Sequence, residues 1–96
     1  MPLPAFPDAA PVAEPTADEA VDTPWRVIRY DDDVHTFDEV ILQLIRATGC
    51  SEQQAEGHAF TVHTAGKDCV YQGDFFDCFQ VQGVLRQIQL VTEIEG

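Results

Sequence analysis

Apolar residues at Phe37, Val40, Ile41, Leu44 and Ile45 recur at the i, i+3, i+4, i+7, i+8 spacing that gives a helix one apolar face. Thr36 and Glu39 stand just ahead as a capping box, the hydroxyl poised to satisfy one orphan amide and the carboxylate another. Gly49 is a natural stop. Upstream, Trp25-Arg26-Val27-Ile28-Arg29-Tyr30 is aromatic and β-branched and predicts a strand. Asp31-Asp32-Asp33 ends it, because acidic turn formers seldom continue a ladder.

A second capping box, Ser51 with Gln54, opens a helix through about His63 that Ala65-Gly66 closes. Its apolar face (Ala55, Ala59, Val62, with Phe60 beside it) is thin and suits close packing through small side chains. Asp68-Cys69-Val70-Tyr71 predicts a short second strand, and Gly73 breaks the chain. Asp74 can then cap a third helix carrying Phe75, Cys78, Phe79, Val81, Val84, Leu85 and Ile88, despite Gly83. From Ile88, apolar or β-branched residues at 88, 90, 92 and 94 alternate with their neighbours, the period of a closing, half-buried strand. The order β-α-α-β-α-β predicts a single α+β domain: a three-stranded antiparallel sheet with helices packed on one face.

Composition changes the picture at the N-terminus. Residues 1–24 hold all six prolines and five acidic residues (Asp8, Glu14, Asp18, Glu19, Asp22), with no Lys or Arg. So few large apolar residues cannot offset the entropy of ordering, and the segment is expected to be a disordered acidic tail before a core at 25–96. Seventeen Asp and Glu against five Lys and Arg give a net charge of −12. Such a surface repels phosphate, so neither nucleic acid nor an anionic membrane is an expected partner. A basic protein or a free amine fits better. No apolar run approaches the roughly 18–20 residues that span a bilayer, and Met1-Pro2-Leu3-Pro4 does not resemble a signal peptide. A cytoplasmic location is the expectation. Cys50, Cys69 and Cys78 are odd in number, form no Cys-x-x-Cys pair, and fit reduced thiols.

Few motifs carry chemistry. An EF-hand beginning at Asp31 would need Gly at position 36 and Glu at 42, where the chain has Thr36 and Leu42. His58 and His63 are not spaced as a His-Glu-x-x-His zinc pair, and no nucleophilic triad or phosphate loop is present. Neither a metal, a cofactor nor an enzyme activity is expected. The acidic triplet reads either as a solvated turn or as a cation site, since carboxylates ahead of a helix can accept several hydrogen bonds from an ammonium group.

Two runs at a definite separation carry a family resemblance. Tyr30-Asp31-Asp32-Asp33-Val34-His35-Thr36-Phe37-Asp38-Glu39-Val40 resembles the Asn-Asp-Asp-x-Thr-x-Met-x-x-Val run of the ClpS adaptors of the Clp protease. Val62-His63-Thr64-Ala65-Gly66-Lys67 resembles their Val-His-x-x-Gly-Lys run, and the likeness extends over about Pro24 to Ile94. It implies a non-enzymatic monomer that binds the free N-terminal residue of substrate proteins, commonly a bulky one. Those substrates would pass to a ClpA- or ClpC-type AAA+ ATPase.

By position, Asp31 stands at the family's Asn, and Asp32 and Asp33 at its two Asp residues. With His63 they would surround the α-ammonium. His35 takes the Thr place, Phe37 that of the Met guarding the pocket mouth, and Val40 and Val62 its apolar walls. Ala59 falls where the family usually has Met, and Leu90 would add a wall from the last strand. Phe37 for Met narrows the mouth while Ala59 for Met enlarges the interior. The third-helix region is shorter than in well-known members. An alternative stays open: a ClpS-like interaction module that modulates the ATPase, or binds another peptide, without reading N-termini.

Overall fold

The computed structural model describes residues 24–96. The tail expected over 1–24 lies outside them, apart from Pro24. The elements are β1 (Trp25–Tyr30), α1 (Phe37–Thr48), α2 (Glu52–Ala65), β2 (Lys67–Gly73), α3 (Phe75–Arg86) and β3 (Thr92–Glu95). The strands form one antiparallel sheet in the order β2-β1-β3, the α+β architecture expected from the pattern.

Local signals set most boundaries. Both capping boxes close: the Thr36 and Ser51 hydroxyls accept from the Glu39 and Gln54 amides, and those side chains reach back to the cap amides. Asp74 caps α3 by accepting from the Asp77 amide. Gly49 (φ 74°) and Gly66 (φ 91°) end α1 and α2 in the left-handed conformation, which glycine adopts without a Cβ penalty.

The C-terminal end departs from expectation. The alternation from Ile88 predicts a strand there, but α3 stops at Arg86 and β3 begins only at Thr92. Gln89 takes a left-handed φ of 63°, and the Leu90 amide turns back to the Leu85 carbonyl. That bond satisfies a helix-end carbonyl locally, at the expense of ladder pairing. Strand β2 is longer than the predicted Asp68–Tyr71, because Lys67 and Gly73 pair with Tyr30 and Trp25 at the ends of β1. The register slips between Val27 and Ile28, whose partners are Tyr71 and Cys69, so Val70 is the extra residue of a bulge.

The core gathers Val27, Val40, Leu44, Ala55, Ala59, Val70, Cys78, Val81, Leu85 and Leu90. Helix α2 buries only Ala55, Ala59 and Val62, the small-residue face its sequence implied, while Phe60 stays exposed. In α3 the buried residues are Cys78, Val81, Gln82 and Leu85, and Phe75, Phe76 and Phe79 face outward. Polar ties lock the layers together: buried Gln43 of α1 donates to the Val84 carbonyl of α3 at 2.6 Å, and Gln82 of α3 donates to the Thr92 carbonyl of β3 at 3.3 Å. Side chains two apart in a strand share a face, so Arg29 follows Val27 toward the helices and is buried, 3% exposed.

Candidate functional site

A cavity of about 340 Å³ opens where the β1–α1 loop meets α1 and α2, within the size range of small-ligand clefts. Arg29, Asp31, Asp32, Asp33, His35, Thr36, Phe37, Val40, Ala59 and His63 line it. Two stretches distant in sequence thus form one wall each. They are joined by a backbone bond, the Asp31 amide donating to the Gly66 carbonyl at 2.9 Å. On the other side of β1's end, the Tyr30 amide donates to the Val91 carbonyl at 3.0 Å. The acidic loop therefore starts from a clamped backbone.

Asp32 is the organising residue. Its Oδ1 accepts from the amides of Val34 at 2.8 Å and His35 at 2.9 Å, the local turn that Asp side chains favour. Its Oδ2 accepts from Arg29 Nη2 at 3.0 Å and His35 Nδ1 at 2.9 Å. A carboxylate offers about four acceptor positions, so Asp32 is filled from within. Burial alone would raise its carboxyl, yet the His35 and Val34 amides and the His35 ring together hold it below the ordinary carboxylate value. Burial also lowers the Arg29 guanidinium against the opposing pull of Asp32 and Asp31, and an arginine stays charged throughout. Asp31 and Asp33 are exposed and turn no comparable set of donors on themselves.

His35 lies between two acceptors: Nδ1 faces the Asp32 carboxylate and Nε2 faces the Ile88 carbonyl oxygen. Only a ring with a proton on each nitrogen satisfies both. Burial opposes that charge, but the bonds to Asp32 and Ile88 and the charges of Asp32 and Glu39 outweigh it, and the ring holds its proton above the ordinary histidine value.

The apolar part of the cavity is small-walled. Val40 and Ala59 are buried, and Phe37, half exposed, sets its ring edge-on to His63 at 5.4 Å between centroids. His63, exposed on the last turn of α2, brings its imidazole to the same cavity. The arrangement offers free carboxylates and an imidazole next to an apolar hollow, which suits a ligand with a cationic head and an oily body. Val62 and Leu90, the other two expected walls, are buried in the packing behind and do not line the cavity. Leu90 sits in the turn after α3, because that segment is not a strand.

Arg29 and Thr36 line the cavity without being among the expected site residues, Thr36 being expected only as a helix cap. For Arg29 a signal existed: it shares its strand face with Val27 and lies three residues before Asp32. His58 is accounted for elsewhere, paired with Asp68 at 2.6 Å between α2 and β2. Among the described residues, no three His, Cys, Asp or Glu side chains converge as metal ligands, and no helix is long and apolar enough to cross a membrane.

Comparison with known proteins gives the family and the fold. Residues 20–90 match the model of the ATP-dependent Clp protease adaptor protein ClpS. A 56-residue stretch, 58% of this chain, is 39% identical to the E3 ubiquitin-protein ligase UBR2 of Homo sapiens, and the same holds for that of Mus musculus. The matched stretch spans 3% of those much longer ligases. The fold is that of Agrobacterium tumefaciens ClpS2 bound to L-phenylalaninamide, with a TM-score of 0.67 at 17% identity over 75% of this chain and 94% of that one. With the family's match running from ahead of β1 to the turn before β3, the chain belongs to the ClpS family of Clp protease adaptors.

Proposed function

We propose that the cavity receives the free N-terminal residue of a substrate protein, and that the domain delivers such substrates to a Clp-type AAA+ ATPase. The observation that carries this reading is the meeting of Asp31, Asp33 and His63 with the hollow formed by Phe37, Val40 and Ala59. An α-ammonium brings three N–H donors and a positive charge, so it calls for acceptors and anions. The first side chain would fill the hollow, where burying a Leu- or Phe-sized group contributes about 1.5–3 kcal/mol. L-phenylalaninamide, the molecule bound by the ClpS2 of similar fold, has this chemistry: a free α-amine beside a benzyl group. Asp31 and Asp33 contact the amine in this reading, while Asp32 shapes the loop that presents them.

Titration calorimetry with a peptide beginning in Phe, free and N-acetylated, tests the proposal. Binding of the free peptide and its loss on acetylation are expected, and equal affinity for the two would eliminate an amine-reading site. Delivery is tested separately, by ATPase-dependent degradation of a substrate with that N-terminus in the presence of ClpA- or ClpC-type enzymes.

A further inference from the structure

We propose that His35 is a proton-operated latch: with both ring nitrogens protonated it ties the acidic loop, through Asp32, to the Ile88 carbonyl of the α3–β3 turn, and on losing one proton it lets one of the two go. The geometry carries this. Asp32 and Ile88 both present acceptors to one ring, and a neutral imidazole has a single N–H. Ionised Asp32 is the stronger acceptor, so the remaining proton stays on Nδ1, which goes on donating to it. The ring then turns a lone pair toward the Ile88 oxygen, and that contact opens.

The charged groups around the ring set the direction. Asp32, from the β1–α1 loop, and Glu39, from the first turn of α1, favour the imidazolium. Arg29, from β1, opposes it, but shares the same Asp32 oxygen and is neutralised there. Asp31 and Asp33 flank in the same loop, exposed to screening water. From the α3 side only the uncharged Ile88 carbonyl makes a direct bond to the ring. His63 stands across the cavity, edge-on to Phe37.

His35 is thus a positioning residue. The amides of Val34 and of His35 itself close on Asp32, so loosening the ring loosens the loop that carries Asp31 and Asp33. Raising the pH through the titration of His35 would weaken amine binding, although it removes a positive charge nearby. This consequence rests on the amine-receptor reading; the latch itself does not.

Nitrogen-15 NMR of the peptide-free protein tests the latch alone. At pH 6 both His35 ring nitrogens should carry protons, and a ring with one bare nitrogen overturns the proposal. Hydrogen exchange of the Val34 and His35 amides, corrected for hydroxide catalysis, should lose severalfold protection as the ring titrates. In His35→Gln, whose amide can donate to the Ile88 carbonyl at every pH, protection should stay flat. Wild-type protection that ignores the ring's own titration overturns the latch whether or not the variant folds. For function, the affinity of a free-amine Phe peptide is measured at pH 6 and pH 8 in both proteins. The titration of the peptide amine is common to both, so the difference between the proteins is the reading. The wild type should lose about threefold to tenfold more than His35→Gln, the net worth of one ordinary hydrogen bond. Equal losses would overturn the coupling to binding.

Discussion

The Asp31 amide donates to the Gly66 carbonyl across 2.9 Å, and this one bond fastens the acidic loop to the end of the helix that carries His63. Neither segment forms the cavity alone. The loop supplies carboxylates with nothing opposite them, and α2 supplies an imidazole and a small-residue floor. Backbone pairing at the start of β2 brings the two into register.

Gly66 should therefore matter twice. Its φ of 91° disfavours any side chain, although a Cβ there would meet nothing within 4 Å. Gly66→Ala should cost about 1–2 kcal/mol of stability from backbone strain alone, and should also weaken amine-peptide binding by displacing His63. Gly49→Ala is the control, with the same left-handed conformation and open space but no part in the cavity. Urea unfolding should show similar losses for both, and calorimetry a binding loss only for Gly66→Ala.

Asp32 and its neighbours should separate. Asp32→Ala leaves the Arg29 guanidinium, 3% exposed, without its anion, and breaking such a pair from one side costs about 3–5 kcal/mol. Asp31→Asn and Asp33→Asn remove exposed charges and should leave unfolding midpoints nearly unchanged while reducing affinity for a free-amine peptide. Chemical denaturation of the three variants decides; equal stability of Asp32→Ala and wild type would mean that Asp32 does not organise the loop.

Stability should follow pH on both sides of neutral. The His35 value is raised on folding, so its contribution is complete below the ordinary histidine pKa of about 6.5 and fades as pH rises through the folded value. The Asp32 value is lowered, so its contribution is complete above the ordinary carboxyl value of about 3.9 and fades as pH falls through the folded one. Thermal midpoints should be highest on the weakly acidic side, and His35→Gln should flatten the alkaline limb.

Selectivity should sit with Phe37 and Ala59. Phe37→Ala opens the mouth and should widen acceptance toward β-branched first residues. Ala59→Met fills the hollow from the floor and should weaken a Phe-initiated peptide about tenfold, ~1.4 kcal/mol, with less effect on one starting in a smaller residue. A panel of peptides differing only in the first residue checks both, and an unchanged ranking in either variant would remove that residue from the selecting wall.

The helices, their caps and the succession of elements along the chain were legible in this sequence because they follow from near neighbours; the central place of β1 in the sheet was not, since it rests on pairing with two distant strands. Thr36 with Glu39 and Ser51 with Gln54 act across one helical turn, and the apolar stripe of α1 needs only a partner of some kind. The closing strand was misplaced for a matching reason. Alternation from Ile88 onward is what a strand requires, but the Leu85 carbonyl lies close enough to take the Leu90 amide first. Leu90 consequently went to the core rather than to the cavity.

The residue types of the site could likewise be read in the chain, but the division of labour among them could not. Three consecutive aspartates look alike in sequence. Their difference comes from Arg29, which the pleat of β1 turns inward beneath Asp32, and from Ile88, more than fifty positions away, whose carbonyl meets the far side of His35. Sequence determined which groups could ionise or accept a proton; the tertiary structure decided which are already satisfied and which remain open to a ligand, because hydrogen-bond capacity is finite and only three-dimensional proximity allocates it.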